Sequence, residues 1–477
     1  MKNVRHLVLP MLLIMAETAQ ATDQVAGKEV FYTSPNQVRE RCVALNPMPG
    51  ASYPDNQQAQ ADEMCSLDFY DSNVALCPKL VSTSPGTFVY ELSNGAYQDK
   101  QPTFEKEVCP EGHIVTDKAD GPPAAFKITM NGRQTSGTFS PSSLLYYHFS
   151  RYFDTGIHVP VAVWRSMDRK THAQRVTHKG LQHSAGKSSL KMNHAAWQLL
   201  DKAEQQPESY PETSELFTSD RSQIYGVMLH IKGRRYHAEV NSSRRSGWGE
   251  GQSRDFQKTA PFQALRSSKP LIDAIREGRK RAAEDPALRK AMANGFGDEQ
   301  MAYWMQDLTE ITLLDYIFRQ QDRIGNIDYV NYWHWVDGDQ VIYSENKPES
   351  IDGKLLKLRR TWLNDNDAGV KKLYANFTKR TQMLEKLRHY NPKTYIRLMK
   401  LDQDLKQQGP LFEYLKESFG LTTAQFNRTV QAIHDAAAII RSTCEAGKLR
   451  FDLDPDTFFR TGSAPEQRLS CGVDNEA

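Results

Sequence analysis

The stretch RQQDRIGNIDYVNYW, Arg319 to Trp333, decides how this chain is read. It follows a run with Leu313, Leu314, Ile317 and Phe318 at helical intervals, so a helix ends near its first residue. Asp322-Arg323 stands at that end, Gly325-Asn326 follows, and the aromatic run DYVNYWHWV then predicts a strand. Alone, this is an ordinary polar turn with Asn326 in a left-handed conformation. What it becomes depends on what the rest of the chain places beside it.

The chain has 477 residues, of which 39% are hydrophobic and 25% charged, a globular composition long enough for two lobes. A formal charge of +2 is near balance and points away from nucleic acid as a partner. The first residues, MKNVRHLVLPMLLIMAETAQATDQ, run from basic Lys2 and Arg5 through an apolar stretch to small Ala19 and Ala21. That order predicts a cleaved secretory signal over residues 1–21. The alternative is an N-terminal anchor, for which the apolar run is short. No later stretch is apolar and long enough to be a transmembrane segment. The expected location is therefore outside the cytoplasm: periplasmic or secreted, or lumenal in a eukaryotic secretory pathway. Six cysteines agree with an oxidising compartment. Cys444 and Cys471 are expected to pair, while the pairing of Cys42, Cys65, Cys77 and Cys109 stays open.

Residues 22–82 mix Pro, Asn, Gln and cysteines and read as an irregular, disulfide-stapled segment. Residues 83–245 read as a strand-rich lobe with a polar insertion at 168–219, and 246–477 as a mainly helical lobe. Within the first lobe, PPAAFKITMNG predicts a strand and SPSSLLYYHFSRYFDTG a helix capped by Ser140. SQIYGVMLHIKGRRYHAEVNS reads as a strand pair about Lys232-Gly233, and SGWGEGQS (246–253) as a flexible connection between lobes. The fold class is α+β and two-lobed.

Three features carry chemistry. Lys127 lies mid-strand in an apolar surround, where an amine needs a polar partner. Asp322 and Asn326 sit in the loop after a helix. TWLNDNDAG ends a strand with Asp365 and Asp367, two carboxylates that suit a hard cation. Each has a bland reading: an outward lysine, a helix-terminal turn, a polar turn. Their order changes the odds, because a strand lysine, a helix, an Asp-x₃-Asn loop and an acidic Asp-Asn pair are the parts of a kinase in kinase sequence.

The pattern resembles the atypical kinases of the secretory pathway, the group that includes the Golgi casein kinase. Its loop style is also similar to that of lipid kinases and HipA-type kinases. DRIGNI keeps the Asp-Arg, Gly-Asn and Ile of such loops but is one residue shorter, with Ile324 where His is usual, and LNDNDAG offers Asp365-Asn366 in the metal-motif setting. The resemblance implies a two-lobed kinase-like fold, ATP with Mg²⁺ or Mn²⁺, and transfer of the γ-phosphoryl group to a hydroxyl of a protein or glycan. It implies Lys127 on the phosphates, Asp322 as base, and Asn326 and Asp365 on metal, with Asp367 a weaker ligand.

One departure matters. Kinases pair the strand lysine with a glutamate on the following helix, and Ser140 to Phe153 contains no acidic residue. Either Glu105 or Glu107 reaches Lys127, or an activating partner completes the pair, or the chain is a pseudokinase. Two more alternatives are an AMP-transferring enzyme on the same fold and an exported structural or adhesion module. Other motifs are set aside: GLQHSAGKSS has the wrong spacing for a phosphate loop, His172, His178, His183 and His194 read as loop histidines, and FDLDPDTF lacks the glycine and glutamate of a calcium loop.

Overall fold

The computed structural model describes residues 24–82, 84–130, 137–237, 239–241, 255–291, 297–370, 383–463 and 465–472. The expected signal over 1–21 and the expected connection at 246–253 lie outside them. Seven strands form the first sheet: β1 (Gly27–Thr33), β2 (Arg39–Leu45), β3 (Val74–Pro78), β4 (Gly86–Glu91), β5 (Ala124–Ile128), β6 (Ala162–Asp168) and β7 (Gln223–His230). Their order is β1-β2-β6-β7-β5-β4-β3, antiparallel throughout. Lys127 is therefore on an inner strand, paired to Gly86 on one side and Val227 on the other.

Segment 22–82 is not irregular. It supplies β1, β2, β3 and helix α1 (Asp55–Ser66). The edge strand GKEVFYT is largely solvated, so charges interrupt the apolar alternation that marks a strand. Disulfides Cys42–Cys65 and Cys77–Cys109 settle the open pairing, and Cys444–Cys471 forms as expected. Cys42–Cys65 clamps β2 to α1, and Cys77–Cys109 clamps β3 to the turn after α2 (Gln101–Glu107). Loops of these lengths contribute on the order of 3 kcal/mol each by restricting the unfolded chain.

The polar insertion is also ordered: helices Arg169–His172, His178–Ser184 and Lys191–Gln205 occupy it. Its apolar residues are few but spaced for one face, and Val176, Trp197 and Leu200 are buried. His172 is a core residue whose Nδ1 lies 2.5 Å from Glu204 Oε1, not a loop histidine.

The expected pair at Lys232-Gly233 does not form a hairpin. β7 stays in the first sheet, and β8 (Arg234–Arg235) pairs with β9 (Asp328–Asp337) of a second sheet, beside β10 (Gln340–Ser344) and β11 (Leu355–Trp362). Gly233 makes the crossing at φ 103°, where an added Cβ would sit 3.1 Å from Tyr329 O. The rest of the second half is mainly helical around Asp298–Ile317, buried on every side from Gln300 onward. This is an α+β protein with a strand-rich first half and a helical second half, as the sequence predicts.

Helix α3 (Ser142–Phe153) joins the halves. Ser140 does not cap it, since its N–H donates to Thr129 Oγ1 at 3.0 Å and its hydroxyl lies against the same atom. Tyr146 Oη donates to Asp315 Oδ1 at 2.6 Å, and Glu310 accepts from Gly156 N and Ile157 N, each at 3.0 Å. The aspartates of FDLDPDTF go to separate partners: Asp452 to His389, Asp454 to a helix N-terminus, Asp456 to Tyr303.

Candidate functional site

β5 buries Lys127 at 7% exposure, and its amine finds its partners in the other half of the chain. Nζ donates to Asp365 Oδ1 at 3.0 Å and to Asp367 Oδ1 at 3.3 Å. Burial alone would lower this lysine's pKa, but the charges of Asp367 and Asp365 outweigh it and raise it. Burial likewise opposes ionisation of Asp365, yet Lys127, Lys79 and Arg235 hold its carboxyl below the usual carboxylate range. Neither Glu105 nor Glu107 takes this role. Glu105 is bound by Arg175, Lys179 and the Leu76 N–H, and Glu107 by Tyr97 at the surface.

The segment bearing the aspartates is tightly seated. β11 delivers Asn364, and Asp365 then turns through a left-handed conformation at φ 53°, ψ 44°. Asp367 O accepts from Phe139 N at 2.6 Å just before α3. At Gly369 a Cβ would meet Ser142 Oγ at 2.3 Å and Phe318 O at 3.1 Å, so a side chain there would push the segment off α3.

The loop Asp322–Ile327 lies beside this segment. Gln320 spans the two, donating from Nε2 to Asp365 O at 3.1 Å and accepting from Asp322 N at 3.2 Å. Asn326 Nδ2 donates to Asp322 O at 2.7 Å, closing the loop. Arg323, 1% exposed, is its anchor: Nε donates to Asp315 Oδ2 at 3.0 Å, Nη1 to Asn364 O at 2.8 Å and Nη2 to Asn366 Oδ1 at 2.7 Å. One guanidinium thus ties the central helix, the Asp-Asn loop and the strand-end aspartates together.

Three participants escape sequence reading. Arg235 donates from Nη1 to Asn326 Oδ1 at 2.7 Å and to Gly325 O at 2.8 Å, and from Nη2 to Asp365 Oδ2 at 3.3 Å. Its Nε lies 3.0 Å from Asp328 Oδ1. Asp328 also accepts from Asn364 Nδ2 at 2.8 Å, and burial raises its pKa against the pull of Arg235. Lys79, after β3, has its pKa lowered by burial and by Lys127's charge. Arg235 sits in a segment that reads as a hairpin and Lys79 in one that reads as irregular, so neither had a local signal.

The oxygens of Asn326, Asp365, Asp367 and Asp328 are hard donors that suit Mg²⁺ or Mn²⁺ in chemistry. In the arrangement seen, Lys127 and Arg235 hold them. Among the described residues no three His, Cys, Asp or Glu side chains are grouped to hold a metal ion. A polar cavity of about 590 Å³, lined by Arg39, Arg41, Trp164 and Asp220 among others, shares no residue with this cluster.

No protein-family model matches the chain, and no curated protein matches it in sequence. Among solved structures it is similar to the Golgi casein kinase, at 10% identity and a TM-score of 0.40, over 90% of this chain and 87% of that one. A likeness this distant carries no argument.

Proposed function

We propose that this chain is an exported kinase that moves the γ-phosphoryl group of ATP to a hydroxyl of a protein or glycan. The observation that carries the reading is the buried Lys127 amine held by Asp365 and Asp367 across the two halves. An amine so placed can exchange a carboxylate for phosphate oxygens without leaving a polar environment. Lys127 would bind and orient the phosphates, and Asp322, in the loop closed by Asn326, would accept the acceptor hydroxyl's proton. Asn326 and Asp365, with Asp367 more weakly, are the groups that would hold Mg²⁺ or Mn²⁺, which when bound neutralises charge on the phosphoryl oxygens. Three disulfides, and no described helix long and apolar enough to cross a membrane, are compatible with export.

A second reading is a pseudokinase that binds nucleotide, or nothing, and acts as a binding partner or activator. α3 carries no acidic residue, and Lys127 spends its bonds on the aspartates instead.

The test is the thermal shift of the oxidised protein with ATP and Mn²⁺ or Mg²⁺, beside Asp365→Ala. A metal-dependent rise that the substitution abolishes supports the nucleotide site, because a ligand of the folded state alone raises the melting temperature. No rise at saturating nucleotide sinks the kinase reading and leaves a pseudokinase that binds no nucleotide. Label on the γ- against the α-phosphate of ATP then separates kinase, pseudokinase and AMP transfer.

A further inference from the structure

We infer that Arg235 is a tethered cation that competes with a divalent metal ion for the site and must withdraw before the ion can bind. The inference rests on the metal reading above and goes beyond it, to how the site is kept closed. Its basis is which lone pairs are in use. Arg235 Nη2 holds Asp365 Oδ2 and Lys127 Nζ holds Asp365 Oδ1, so both oxygens of that carboxylate accept from basic side chains. The side-chain oxygen of Asn326 accepts from Arg235 Nη1 at 2.7 Å. Magnesium needs near-ideal octahedral geometry at about 2.0–2.1 Å, and its ligands must turn lone pairs toward it. A guanidinium bonded to the same two side chains blocks that geometry and repels the ion's charge.

The surroundings give the arginine a way out and a place to wait. Its side chain is 39% exposed, whereas Lys127's is 9% exposed, so Arg235 is the one of the two that can swing to solvent without being stranded. Its strand is two residues long and follows Gly233, which alone among its neighbours there has a positive φ, at 103°. Asp328 Oδ1 lies 3.0 Å from Nε, so the stem can stay moored while the fork leaves Asn326 and Asp365. The closed arrangement balances the charge of the aspartates without an ion. The open one frees those oxygens for metal and leaves the fork facing outward, where an anion could meet it.

The experiment uses Mn²⁺ alone, by titration calorimetry or the loss of its free electron-spin signal, on the wild type, Arg235→Ala and Arg235→Gln. Metal binding no longer has to break two charge-assisted hydrogen bonds in the variants, so affinity should tighten roughly ten- to hundredfold. Asp365→Ala, alone or with Arg235→Ala, should remove the gain. Arg235→Gln keeps a long polar side chain without charge and answers for an alanine variant that fails to fold. If the wild type binds ATP with Mn²⁺ in an Asp365-dependent way but both Arg235 variants bind Mn²⁺ no tighter, the latch is refuted and the metal site stands. If no protein binds Mn²⁺ with or without ATP, the metal reading falls and the latch with it.

Discussion

Replacing Arg323 by methionine separates stability from site geometry. The guanidinium is 1% exposed and meets Asp315, 6% exposed, so the pair is out of water. Arg323→Met leaves Asp315 with the Tyr146 hydroxyl, and Asp315→Leu leaves a buried guanidinium with three backbone or amide acceptors, Asn326 O, Asn364 O and Asn366 Oδ1. Breaking a buried pair from one side costs about 3–5 kcal/mol, whereas replacing both partners by apolar groups is often close to neutral. At about 2.1 cal/mol/K of unfolding entropy per residue, a chain of this length loses roughly 1 °C of melting temperature per kcal/mol. Each single variant should therefore melt about 3–5 °C lower, and the double variant should recover most of that loss. The recovery should not extend to the site. Arg323 also holds Asn364 O and Asn366 Oδ1, which flank Asp365, so the double variant should lack the nucleotide-dependent thermal shift. Melting temperatures that simply add would show the pair to be uncoupled. A full nucleotide shift in the double variant would refute the claim that Arg323 positions the aspartates.

Gly369→Ala should cost about 1–3 kcal/mol by overpacking against Ser142 and Phe318 O, and weaken nucleotide binding as the aspartate segment shifts. A wild-type melting temperature with intact binding would contradict it. Burial, then the charge of Asp307, pushes Glu310 up to about 8 from 4.5, so between those values the native protein keeps a proton the unfolded chain has lost. Stability should then fall as pH rises through that window, by on the order of a few kcal/mol, and Glu310→Gln should flatten the slope in melts across it. Burial, then the charge of Arg151, pulls His148 down to about 3 from 6.5, so there the unfolded chain takes the extra proton. Stability should be lost as pH falls from 6.5 toward 3, and His148→Gln should reduce that loss. Replacing Cys77 and Cys109 by alanine should lower stability by about 3 kcal/mol, read by denaturant titration, and an unchanged midpoint would refute the loop-entropy account.

The α+β order, the Lys127 strand and the loops holding Asp322, Asn326, Asp365 and Asp367 were legible because each rests on local pattern. Strand alternation, helix periodicity and turn residues act within a few positions. The same locality explains the failures. β1 read as irregular because a solvated edge strand carries charge where alternation would show, and the 168–219 insertion because one narrow apolar face does little to its composition. Glu105, offered as a partner for Lys127, went to Arg175 and Lys179 from that insertion. The contact that defines the site spans 238 residues of sequence, and Arg235 reached it because β8 crossed from one sheet to the other. From sequence alone came which residue types stand at strand ends and helix ends. Tertiary structure decided which charges meet, because a buried amine takes whichever carboxylate the packed halves bring within bonding distance.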